Sequence, residues 1–142
     1  MTTWTRSLAH RFRALAFLRA SLLVGAVYDF GFAVVMVLAP EVPARILSLP
    51  LPALPRGQFY LSILAILLTM LAALYLLAAR DTQRYSGVVG VAICGRIAGG
   101  LAFFAAAATG TDLGGLVPLG VADLAFGLVH AAFFALWWPP RS

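Results

Sequence analysis

The chain has 142 residues, 63% of them hydrophobic and only 11% charged, with a mean hydropathy of +0.98. A soluble domain is nearer half apolar and a quarter charged, so there is too little polar surface here to cover a water-soluble fold. The net charge is +5 and every basic side chain is arginine. These arginines punctuate apolar runs as membrane topology signals do, which argues against a nucleic-acid partner.

The first segment, WTRSLAHRFRALAFLR from Trp4 to Arg19, is basic and amphipathic. A positive start before an apolar run resembles a signal peptide, but the run is long and no small-x-small cleavage site stands at the right distance. The expectation is an N-terminal amphipathic interfacial helix over residues 1–19 that leads into a retained span. A bilayer core of about 30 Å takes about 20 apolar residues in a helix. Four runs in residues 20–142 meet that length, at about 20–39, 59–79, 87–109 and 116–138.

The connections fit these spans. PEVPARILSLPLPALPRGQ, Pro40 to Gln58, holds five prolines and cannot be one long helix. Its Pro43–Leu49 stretch suits a short turn on the membrane surface. RDTQRYS, Arg80 to Ser86, is a short polar turn that makes the second and third spans an antiparallel hairpin. GTDLGG, Gly110 to Gly115, is a second tight turn. Arg6, Arg11, Arg13, Arg19, Arg80, Arg84 and Arg141 fall on one side, and only Arg45 and Arg56 on the other. The positive-inside rule then places both termini in the cytoplasm, and Trp137 and Trp138 in an interfacial aromatic belt.

The third run, VAICGRIAGGLAFF, carries a single charge, Arg96. It lies about ten residues in, roughly 15 Å deep at about 1.5 Å per residue, near the midplane. The cost of an unpaired arginine there runs from about 3 kcal/mol on insertion scales to above 10 in simulations, so a partner is required. Asp29 in VYDFGF reaches a similar depth in the first span, and Asp123 in GVADLAF does so in the fourth. The reading is an Asp29–Arg96–Asp123 centre tying three spans, since the planar guanidinium fork can bridge two carboxylates. Tyr28, Thr69, Tyr75 and His130 are the other polar side chains assigned to it. His130 follows Asp123 by two helical turns on the same face. Two roles stand open: a relay, counter-ion or ligand site, or a static network that fixes helix register. Gly95 and Gly99 form GxxxG with Gly100 beside them, a pattern that lets helices pack closely within the chain or between copies.

Other motifs fail. GVAICGRI resembles a phosphate loop, but Arg96 and Ile97 replace the lysine and the hydroxyl residue, and the stretch lies within a span. Cys94 is alone, so there is no internal disulfide and no CxxC pair. His10 and His130 do not make a metal pair, and no serine, cysteine or metallohydrolase constellation stands out. No metal or cofactor is assigned; a quinone or a lipid is the ligand class that such a polar centre would suit.

YDFGF, SLPLP, YLLAARDTQR, ICGRIAGG and GVADLAFG occur in an order that resembles small bacterial four-helix membrane proteins, broadly DoxX-like. In that group an Asn or Asp follows an aromatic in the first helix, a GK or GR precedes small residues in the third, and an Asp opens the polar part of the fourth. Asp29, Arg96 and Asp123 match those places. DoxX-type relatives are associated with quinone-linked sulfur oxidation and redox stress. This chain has no redox cysteine pair, so the resemblance implies the fold and the polar positions and not an activity.

The expected fold is therefore all-α: an integral membrane four-helix antiparallel bundle in a bacterial inner membrane. The expected function is a non-catalytic subunit of a membrane complex or a homo-oligomer. The alternative is binding or transport of a proton, quinone or other lipophilic ligand at the Asp–Arg–Asp centre.

Overall fold

The computed structural model describes residues 3–47, 56–109 and 114–138, without the side chains of residues 3–8 and 56. Residues 48–55 of the proline-rich connection, residues 110–113 of the second turn, and Arg141 lie outside the described residues. Five α-helices follow in chain order: α1 Thr3–Leu38, α2 Glu41–Ile46, α3 Arg56–Arg80, α4 Ser86–Ala107 and α5 Val117–Trp137. A 3-10 turn, Gly114–Leu116, leads into α5. No strand occurs among the described residues.

Four of these helices are long and apolar enough to cross a membrane: Ala9–Leu38, Gly57–Arg80, Ser86–Ala107, and Gly114–Trp137 counted with its leading turn. Their outward faces carry large apolar side chains, including Phe30, Leu67, Val91 and Leu128, each more than half exposed. Water would not tolerate that surface; lipid does. The chain is a multi-pass helical membrane protein.

The interfacial segment and the first span are one continuous helix of 36 residues. No glycine or proline stands between Arg19 and Val24 to interrupt it. Leu18 and Leu22, one turn apart across the expected junction, are both fully buried. At about 1.5 Å per residue the helix is roughly 54 Å long. That exceeds a hydrocarbon core of about 30 Å, so its first turns project past the span.

Neighbouring helices run antiparallel around a ring. Arg11 near the start of α1 donates from Nη2 to the carbonyl of Trp137 at the end of α5, 3.4 Å away. Gly100 and Phe104 late in α4 meet Gly120 early in α5. α1 packs against α3 and α5, and α4 against α5, while α3 and α4 touch much less than these pairs. The short turn between α3 and α4 is as expected: the backbone N–H of Arg84 donates to Asp81 Oδ1 at 3.1 Å.

The bundle has two unlike halves. Toward the chain termini, Leu18, Leu22, Ala26, Ala72, Tyr75, Ala78, Ala79, Val89 and Ala92 form one buried cluster. Most of these residues are small, which lets helix backbones approach where no hydrophobic effect drives them together. In the other half α3 and α4 part, and a cavity lies between the helices. α2 closes that end. It occupies Glu41–Ile46 and so begins before the expected Pro43–Leu49 turn, of which residues 48 and 49 lie outside the described residues, and Leu47 abuts Gly115 of the 3-10 turn. Pro40 stops α1 and starts α2, as proline suits a first turn and not a helix interior.

Candidate functional site

Arg96 sits where the packed half gives way to the hollow half. It is 4% exposed. Its Nη2 donates to Asp29 Oδ1 at 2.6 Å, its Nη1 to Asp123 Oδ1, and its Nε to Tyr75 Oη at 3.0 Å. These are the only ion pairs among the described residues, and both centre on Arg96. Asp29 is fully buried, and Asp123 is 15% exposed. One arginine thus ties α4 to α1, α5 and α3 at once.

Three rings enclose the guanidinium. Its Cζ lies 5.5 Å from the Tyr28 ring centre, 5.4 Å from Tyr75 and 5.2 Å from Phe126. Aromatic faces attract a cation, more strongly where water is excluded. Three charges and a phenol are therefore held in apolar surroundings by ion pairing, hydrogen bonding and ring faces together. With all three groups ionised the cluster carries one net negative charge.

The glycines have separate roles. A Cβ at Gly99 would come 3.0 Å from Asp123 Oδ2, so the bare backbone there makes room for the carboxylate. A Cβ at Gly100 would come 2.7 Å from Leu124 Cγ and 3.0 Å from the Gly120 carbonyl, so α4 and α5 meet at that point. Gly95 faces away from the bundle and meets nothing within 4 Å. The GxxxG pair is therefore split, with one glycine inside the chain's own packing and the other on its outer face.

Two expected members stand apart from the ion cluster. Thr69 is exposed on α3 and its hydroxyl donates to the Ala65 carbonyl at 2.8 Å, one turn back. An intrahelical carbonyl is the nearest acceptor for a hydroxyl facing lipid, and the polar centre lies on another face of α3. His130 is fully buried and packs its ring edge-on to Tyr75, with ring centres 5.8 Å apart, and against Phe126 at 6.0 Å. Neither of its nitrogens completes a hydrogen bond of normal geometry, although the Ser21 backbone lies close enough to interact with the ring. It extends the centre toward the packed half through Tyr75 without bonding to a carboxylate.

Beside the cluster, in the hollow half, is a cavity of about 290 Å³. Asp29, Arg96 and Asp123 form its polar end. Its wall is apolar, with Phe32 and Met36 from α1, Leu61 and Leu68 from α3, Phe103 from α4 and Leu119 from α5. Nothing in the sequence singles out these wall residues or Phe126, because every span is apolar all round and no face stands out. Among the described residues no group of three or more His, Cys, Asp and Glu lies together to hold a metal ion. Comparison with protein-family models, curated proteins and solved structures finds no match.

Proposed function

We propose that this membrane protein binds a small lipophilic molecule between its helices, with Asp29–Arg96–Asp123 as the polar end of the site. The observation that carries this reading is the apolar cavity that terminates on all three charged residues. A network that served only to fix helix register would need no such space beside it. Ligand sites of this kind run from about 300 Å³ upward and pair an apolar wall with a few convergent polar groups. A quinone-like molecule or a single lipid suits that shape. Beyond the cluster the termini half is closely packed around Leu22, Tyr75 and Val89. That packing favours binding over passage through the bundle.

The test is native mass spectrometry of the protein released from its own membrane. The wild type is expected to carry a lipophilic adduct. Leu68→Trp, which fills the cavity from α3, is expected to lose it while keeping its helical circular dichroism. Retention of the same adduct by a folded Leu68→Trp protein would refute the reading.

Arginine placement supports cytoplasmic termini. Arg11, Arg13, Arg19, Arg80 and Arg84 lie toward the termini end of the bundle, and Arg45 lies at the other end. The order of short motifs supports kinship with the DoxX-like group.

One feature favours a second reading, an accessory subunit or homo-oligomer. On α4, Gly87 and Gly95 meet nothing within 4 Å, and Ala98 and Ala102 are exposed nearby. Small outward residues suit a close helix–helix contact in lipid. Cys94 is exposed beside Gly95 and is the chain's single cysteine. Oxidative cross-linking in the membrane through Cys94 is the expected sign of a symmetric contact, and a monomer under the same oxidant contradicts that form of it.

A further inference from the structure

Asp29 has a feature that its ion pair does not explain. Its Oδ1 accepts from Arg96, but its Oδ2 is buried with no hydrogen-bond partner. Buried polar atoms in native proteins are satisfied in the great majority, and a carboxylate oxygen without a donor is costly. Asp29 also lines the cavity. The unmet acceptor thus belongs to a residue of the cavity's polar end, and a small movement of the buried carboxylate would present it to a bound head group.

Arg96 presents the complementary half. A guanidinium has five N–H donors, and three are used here, by Tyr75, Asp123 and Asp29. Its ring-facing sides are already covered by Tyr28, Tyr75 and Phe126. No empty aromatic cage remains there for a quaternary ammonium, which in any case has no proton to donate to Oδ2. An anionic head would add a second negative charge to a cluster that already holds two carboxylates and one arginine. A hydroxyl carries what is missing, one donor for Asp29 Oδ2 and lone pairs for a spare Arg96 N–H.

We propose that the cavity selects amphiphiles whose head is a neutral hydroxyl, an alcohol or phenol, donated to Asp29 Oδ2, with the apolar body along Met36, Leu68 and Phe103. This rests on the cavity being a ligand site. Here Asp29 sets head-group specificity rather than affinity for the apolar body.

The test compares para-hexylphenol with its methyl ether, para-hexylanisole, and with decanoate, each titrated into the full chain in lipid nanodiscs. The phenol is expected to bind at least about tenfold more tightly than the ether, a ratio equal to about 1.4 kcal/mol. Decanoate is expected to bind more weakly than the phenol. Asp29→Asn keeps the shape and an acceptor for Arg96 but turns an amide N–H toward the cavity. In that variant the phenol-to-ether ratio is expected to fall to about one, with ether affinity held or raised, a pattern that general unfolding would not produce. Equal binding of phenol and ether by the wild type, or tightest binding of decanoate, would overturn the head-group assignment and leave the cavity reading standing. Binding of none of the three would overturn both.

Discussion

Replacing Arg96 with leucine removes the one positive charge at the centre of the bundle. Asp29, fully buried, and Asp123, 15% exposed, would then face each other without a counter-ion, and Tyr75 would lose its donor. Removing one partner of a buried ion pair costs about 3–5 kcal/mol, because the remaining charge is left uncompensated. Two carboxylates are stranded here, which pushes upward, and protonation of a carboxylate relieves part of the penalty. The expected loss for Arg96→Leu is thus about 4 kcal/mol. That is well above the average of about 0.6 kcal/mol for an ordinary interhelical hydrogen bond in a membrane protein. The triple variant Asp29→Leu, Arg96→Leu, Asp123→Leu strands no charge. Apolar replacement of buried ion clusters is often neutral or stabilising, so it is expected to be more stable than the single variant by about 3 kcal/mol. Reversible unfolding in lipid bicelles, followed by steric trapping, measures both. A loss under about 1 kcal/mol for Arg96→Leu, or a triple variant less stable than the single, would show that Arg96 does not hold the two carboxylates as described.

Two further outcomes follow from the same geometry. Gly100→Ala drives a Cβ against Leu124 and the Gly120 carbonyl, and overpacking of this kind costs about 1–3 kcal/mol. Gly95→Ala meets open space and is expected to stay within about 0.5 kcal/mol of wild type; the two variants compared in the same bicelle assay check both values. His130→Phe replaces a buried imidazole, whose one polar neighbour is the Ser21 backbone, by a ring of similar shape, so stability is expected to change by less than about 1 kcal/mol. A loss above about 2 kcal/mol would show that His130 makes a full hydrogen bond here, to the Ser21 backbone or to a bound molecule.

The fold was largely legible because its signals are long. Each apolar run is long enough to span a bilayer core, and RDTQRYS cuts the chain between two of them. The ion cluster was legible for a related reason. A charge within an apolar span demands a partner, and only Asp29 and Asp123 lie at matching depths in the other spans. Thr69 was misplaced because a hydroxyl can satisfy itself on its own helix, as this one does with Ala65, so its presence in a span does not require a polar neighbour. The join between the amphipathic segment and the first span was drawn on charge, whereas the buried stripe through Leu18 and Leu22 ignores that boundary. The cavity was invisible. It arises because α3 and α4 part in one half of the bundle, and no residue type in Leu61, Leu68 or Phe103 distinguishes a cavity wall from a packed seam.

The most direct measurement is a high-resolution map of the protein in native lipid, with no ligand added, inspected beside Arg96. An elongated non-protein density is expected between Met36, Leu68 and Phe103, ending within hydrogen-bond distance of Asp29 Oδ2. A cavity closed by its own side chains, with Asp29 Oδ2 bonded inside the protein, would contradict that expectation and leave Arg96 as a tie between helices.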